Sequence, residues 1–444
     1  MDAAVLAATL ITFAACFSTS VYVPLAPFLV NSKSQVGWLL SAQGLANCIA
    51  LVPTGRAVDR LGSKPVLELG IIVLASSLVL STVSEGFCVQ LLGRLCTGAG
   101  AGMLFNSAMA MVMERYQEPL RSEYLGTSLG LGTVGNLVGP PLAGYAFTLS
   151  GELDFPCPEG LAFLPAALIL GLASWTLRGV PHLSPQAMQD SLLDHSPRAT
   201  QGGLVSEFLG VYMSVGVKSW VIAAELACLF CAGTALQCAG VLEMRATGFP
   251  AAVMGATSVP AGFLQAITSR WGGRMSTTPS RRIALMVVCP LILASGLTCT
   301  FAAAHFERDS VVLPIVIALG LTTATIGVVD APSISMMGDL ASMHKRGYGE
   351  AVTATELAVT AGQAIGPTFG ALMQQLAGFN MLCLLLAAAA VLSGTGCAVC
   401  LRHVYDGGSS TSCSTGISED AGSHSRAKSQ SGECCRGLTE ALGA

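Results

Sequence analysis

The sequence is short of charge. Only 11% of its 444 residues are Asp, Glu, Lys or Arg, whereas an ordinary soluble domain carries roughly 25%. A soluble chain of this length needs more charge to cover its surface, so a soluble enzyme is excluded. A basic footprint is missing too. The net charge of −4 offers nothing to a polyanion, which excludes a nucleic-acid partner. The 16 cysteines lack the arrangement of a metal centre. Most stand singly in apolar segments, as at Cys16, Cys48, Cys96, Cys228 and Cys289, where a thiol packs as a small apolar group. Cys157 and Cys413, or Cys434 and Cys435, have neither zinc spacing nor a nearby His set. No metal and no cofactor are expected.

What the chain has is apolar length. Apolar residues make up 52% of it, and the mean hydropathy is +0.65. Runs such as Ala3–Leu29 and Val311–Met337 are long enough to cross a bilayer. Runs and breakers predict twelve spans, near 3–29, 36–54, 65–84, 87–113, 123–148, 161–178, 218–242, 250–269, 283–304, 311–338, 348–375 and 379–401. They are read as helices, because lipid offers no partner for unpaired backbone groups. The first run lacks a basic leader and is too long for a signal peptide, so it counts as a span.

Basic residues set the orientation. The even-to-odd loops hold fourteen of the 22 Lys and Arg, among them Arg56, Arg60, Lys64, Arg115, Arg178, Lys218, Arg270, Arg274 and Arg282; the other side holds only Lys33, Arg245 and Arg308. By the positive-inside rule both termini are cytoplasmic. The expected organisation is a six-helix bundle over 1–178, a polar cytoplasmic linker over 179–217, a second six-helix bundle over 218–402, and a polar tail over 403–444 too simple to build a core.

The halves echo each other. Gly55-x3-Asp59-Arg60-x-Gly62-x-Lys64 after span two returns as Gln265-x3-Ser269-Arg270-x-Gly272-x-Arg274 after span eight. Gly139-Pro140-Pro141-x2-Gly144 in span five returns as Gly366-Pro367-x2-Gly370 in span eleven. Duplicated six-span halves around a central site are a transporter architecture.

The motifs resemble those of the major facilitator superfamily. Gly55, Asp59, Arg60, Gly62 and Lys64 resemble its signature loop, where glycines permit a tight turn and Asp59 with the basic residues forms a charged latch. Arg94-Leu-Cys-Thr-Gly98-Ala-Gly100-Ala-Gly102 resembles its span-four motif. Arg94 either faces a cavity or caps backbone carbonyls. The glycines follow no strand, which argues for helix packing over a nucleotide loop. Gly135, Gly139, Pro140, Pro141 and Gly144 resemble the span-five motif of its proton-coupled antiporters and are read as packing residues.

The second half resembles the vesicular amine transporters of that superfamily. The segments that carry this are Gly327-Val-Val-Asp330-Ala-Pro332 in span ten and Glu356 eleven residues before Pro367 in span eleven. The resemblance implies that Asp330 and Glu356 serve proton and amine coupling. Three other membrane charges of that family are missing: its span-one acid falls at Ala15 or Cys16, its span-two lysine at Gln43, and its span-seven acid at Gln237. Gln43 is expected to stand opposite Glu356 as a neutral partner.

The acids also stand out unaided. An ionised carboxylate in a span costs several kcal/mol, so it pairs, faces a cavity or binds a proton. Asp330 and Glu356 lie at similar depth from one face, and adjacent antiparallel helices bring such residues into one cavity. Glu225 in span seven lies at comparable depth, and either replaces a missing charge or snorkels towards Lys218. The candidate set is therefore Asp330, Glu356 and Arg94 for coupling, and Gln43, Glu225, Gln237 and Asp330 for the cavity. The implied activity is proton-coupled antiport of a small organic cation by a monomer in a vesicular or plasma membrane. Alternatives are a facilitator or exporter of a neutral or anionic metabolite and, more remotely, a membrane sensor.

Overall fold

The computed structural model describes residues 2–30, 32–83, 86–115, 120–152, 158–181, 212, 216–276, 278–306, 312–344 and 348–401. Among them are fourteen helices and no strand. The first half comprises α1 (Ala3–Ser20), α2 (Tyr22–Leu29), α3 (Lys33–Leu61), α4 (Ser63–Val83), α5 (Phe87–Arg115), α6 (Leu120–Glu152) and α7 (Pro158–Arg178). The second comprises α8 (Val217–Ala246), α9 (Ala251–Ala256), α10 (Ser258–Met275), α11 (Pro279–Phe306), α12 (Val312–Met343), α13 (Tyr348–Leu376) and α14 (Gly378–Leu401). Each expected span falls on one helix or on a broken pair. The tail 403–444 and nearly all of the expected linker lie outside the described residues.

Nine of the described helical stretches are long and apolar enough to cross a membrane. The three that are not, α3, α6 and α13, have 29, 33 and 29 residues. At 1.5 Å per residue each is about 43 Å or more in length, enough to span. They are less apolar because both halves pack against them, which spares them a fully lipid-facing surface.

Two spans break, and the same device breaks both. Span one divides at Val21, three residues before Pro24, and span eight divides at Thr257, three residues before Pro260. A proline cannot donate to the carbonyl four residues back, and its ring crowds that turn. Elsewhere the helices run through Pro53, Pro140, Pro141, Pro290, Pro332 and Pro367 without a break.

Small residues hold the two halves together in matching ways. Within the first half, Gly135 and Gly139 of α6 sit against the backbone of Phe13 and Phe17 on α1. Within the second, Gly362, Gly366 and Gly370 of α13 sit against Ala227, Cys231 and Ala235 on α8. Each of these helices then crosses to the other half. Pro140 and Gly144 of α6 meet Gly255 and Ala251 of α9, and Ala364 and Ala371 of α13 meet Gly44 and Gly37 of α3. The helices approach closely because no side chain stands between them.

These junctions lie towards one face. The hydrogen bonds found between the halves join Ser34 to Gln375, Ser41 to Thr368, Cys48 to Thr360 and Thr148 to the Ala252 amide. All fall at mid-depth or towards the ends opposite the basic loops, where Arg245 also stacks on Phe28, 4.0 Å from its ring centre.

Candidate functional site

Asp330 on α12 and Glu356 on α13 are half-buried and lie within electrostatic reach of each other. Cys16 on α1, from the other half, lies within reach of Glu356. The structure thus brings together the two acids that the sequence singles out, with a residue of span one within electrostatic reach of Glu356. Among the described residues, neither carboxylate has an ion-pair partner. Two carboxyls side by side without a cation favour uptake of positive charge, either a proton or a cationic group.

Arg94 is occupied elsewhere. It is 1% exposed, and its Nε donates to the Leu39 carbonyl at 3.3 Å. One terminal nitrogen donates to the Thr19 carbonyl at 3.1 Å, and the other donates to Gln43 Oε1. The guanidinium lies over the Tyr22 ring, 4.2 Å from its centre. Thr19 belongs to the turn at which span one breaks. Arg94 therefore ties that broken turn to α3 and α5. Of the two readings open in the sequence, capping of carbonyls describes these contacts.

Gln43 does not reach Glu356. Its side-chain oxygen is taken by Arg94. The register of α3 on α13 sets Gly44 against Ala364 and Cys48 against Thr360, so Glu356 faces the next turn of α3 beyond Cys48. Gln237 is half-buried on α8, one turn past Gly233, which packs on Thr322 and Ile326. This register holds Gln237 about three turns from the level of Asp330. Glu225 does not snorkel. It is 1% exposed and its Oε2 lies 2.8 Å from Cys397 Sγ on α14. The expectation that it leans towards Lys218 fails because α8 is covered there by α14.

At the basic face, the expected loop 55–64 is mostly helix. α3 continues to Leu61, and the reversal is confined to Gly62, whose φ of 85° suits a residue without a side chain. Gly55 lies inside α3 with open space beside it. Lys64 Nζ donates to the Val180 carbonyl at 2.7 Å, fixing the start of α4 to the stub that follows α7. The side chains of Asp59 and Arg60, and with them the expected latch, lie outside the described residues.

In α5 the alternate glycines divide their work. A side chain at Gly98 would overlap the Gln43 backbone on α3, one at Gly100 would press on Leu74 of α4, and one at Gly102 would meet Asn47. Sequence reasoning missed the Tyr22 platform beneath Arg94, the approach of Cys16 to Glu356 and the Glu225–Cys397 pair. A tyrosine two residues before the helix-breaking Pro24 was the available signal for the first. Cys397 carried none, because its partner lies 172 positions away.

Comparisons with known proteins agree with this architecture. Residues 8–349 match the family model of the Major Facilitator Superfamily. The chain is 27% identical over 134 residues to the vesicular acetylcholine transporter of Tetronarce californica, a stretch covering 29% of this chain and 26% of that protein. It is 24% identical over 159 residues to the quinolone resistance protein NorA of Staphylococcus aureus (strain MRSA252), covering 35% of this chain and 41% of that one. The aligned stretches thus span less than half the length of these relatives. The crystal structure of a D-xylose-proton symporter matches with a TM-score of 0.65 at 15% identity, over 89% of this chain and 96% of that one, a likeness of fold. The family model covers most of the chain, and the paired six-span halves fit it: this multi-pass membrane protein belongs to the Major Facilitator Superfamily of transporters.

Proposed function

We propose that this transporter exchanges a small organic cation, such as an amine or an amphipathic drug-like base, for protons. The observation that carries the reading is the Asp330–Glu356 pair, two carboxyls from neighbouring helices within electrostatic reach of each other, with Cys16 of the other half within reach of Glu356. Proton and substrate are then alternative occupants of one acidic site. A protonated pair is neutral and releases the cation, whereas an ionised pair attracts it. The similarity to an acetylcholine transporter and to a quinolone resistance protein supports a cationic or amphipathic substrate. Two acids with no cation beside them argue against an anion. By the positive-inside rule the basic face is cytoplasmic, and an acidic vesicle lumen or exterior supplies the protons.

The test is transport by purified protein in proteoliposomes with an acidic interior. A fluorescent, membrane-impermeant quaternary ammonium is expected to accumulate only where the protein is present, to drive protons out as it enters, and to stop when a protonophore collapses the gradient. Accumulation of a neutral sugar or an organic anion without proton movement would replace this reading with that of a facilitator or exporter.

A further inference from the structure

One buried acid takes no part in the central site. Glu225 Oε1 is buried and has no hydrogen-bond partner among the described residues, while Oε2 meets only the Cys397 thiol. Ala227, Cys231 and Ala235 of α8 lie against the glycines of α13. Glu225 stands two residues from Ala227, about 200° around the helix at 3.6 residues per turn. It therefore faces away from α13 and from Glu356.

Thiols surround it instead. Cys228 on its own helix, Cys289 on α11 and Cys397 on α14 are the titratable groups within electrostatic reach of Glu225, and Cys400 lies beside Cys397. The described parts of α12, α13 and α14 contain no Lys or Arg. The bases of α8 and α11 lie at helix ends: Lys218 is two turns towards the basic face, Arg245 is held over Phe28, Arg281 is exposed, and Arg282 is paired with Asp339 at 2.5 Å. Among the described residues the thiols and carboxyl do not form a set that could hold a metal ion. The ligand left is a proton.

We propose that Glu225 and Cys397 form a second proton-binding site, separate from the central pair, whose loaded state holds α8 against α14. Loaded, the pair carries a carboxyl proton and a thiol proton and is neutral. Release of one proton to water leaves a single negative charge on the Glu225 carboxylate, with the Cys397 S–H donating to it. An uncompensated charge in this seam is costly, so unloading draws water between the two helices or parts them. Transport then responds to proton concentration at a point that the substrate does not touch.

Infrared difference spectra of the full chain in lipid nanodiscs, recorded across a pH step, test the site without knowledge of the substrate. The carboxylic C=O band and the thiol S–H band are expected to change together in the wild type. Glu225→Gln should lose its carboxyl component and the coupled S–H change, and Cys397→Ser should keep a shifted C=O change. In proteoliposomes the wild-type rate should fall on the alkaline side as the site unloads. Glu225→Gln, isosteric and permanently neutral, should lose the part of that fall due to this site and keep only the part set by the central pair. An S–H change that survives Glu225→Gln, or identical pH profiles for the two proteins, overturns the proposal.

Discussion

Replacing Arg94 by lysine separates a structural clamp from a coupling residue. The guanidinium makes three hydrogen bonds, to two carbonyls and to Gln43, and stacks on Tyr22. An ammonium keeps the charge but is a compact point donor, unable to reach all three partners or to present a flat face to the ring. Hydrogen bonds to a charged group are worth about 1.5–3 kcal/mol each, and a desolvated cation–π contact about 2 kcal/mol. Losing one or two of these contacts and weakening the stack should cost about 2–5 kcal/mol. The assay is thermal unfolding in detergent, followed with a dye that fluoresces on reaction with thiols. Buried Cys238, Cys383 and Cys397 supply the signal as the bundle opens. Arg94→Lys should lower the midpoint by several degrees and leave the proton-to-substrate ratio of the surviving protein unchanged. An unchanged midpoint with lost proton coupling would refute the clamp and make Arg94 a coupling residue.

Further outcomes follow from the other contacts. Glu356→Gln mimics the protonated acid, so it should abolish uptake driven by a proton gradient while counterflow of labelled substrate persists. Full proton-driven accumulation by the mutant would reduce Glu356 to a structural role. Gly98→Leu should prevent folding, since its side chain would overlap the Gln43 backbone, whereas Gly55→Ala, with open space beside it inside α3, should stabilise by about 0.5–1 kcal/mol in the same unfolding assay. Ser41→Cys with Thr368→Cys places two thiols where a hydroxyl pair lies 2.8 Å apart. Oxidation should cross-link the halves and stop transport, and a reductant should restore it. A thiol label in the 179–217 linker and one at Glu152 should report from opposite sides of the membrane, and labelling from one side would overturn the twelve-span topology.

The spans were legible because lipid enforces length and hydropathy, and their expected ends agree with the helices to within several residues. Asp330 and Glu356 were legible as a pair because depth along two antiparallel helices is readable from the sequence. Direction around a helix is harder to read, and there the reasoning failed. Glu225 has the depth of a cavity residue but the wrong azimuth. The clue was present in Ala227, Cys231 and Ala235, a stripe of small residues that marks the buried contact with α13 and leaves Glu225 on the other side. Gln43 was misread for a different reason. Its partner was inferred from what stands at that position in similar proteins, while Arg94, only one helix away, holds a stronger donor for its oxygen. The segment 55–64 looked like a loop because of its glycines and charges, yet only Gly62 needs a conformation that a helix forbids.

The seam between α3 and α13 also dictates an order of assembly. Thr368 reaches Ser41 across 327 positions, whereas Gly135 of α6 meets Ser20 of α1 across only 115. During synthesis the first half can therefore complete its own packing long before the second emerges. Throughout that interval Gly37, Ser41 and Gly44 lack the helix that covers them in the folded chain, α13, the last but one of the described helices to be made. Chains shortened before α13 would keep those residues uncovered, the kind of defect by which a cell's quality-control machinery recognises an unfinished membrane protein.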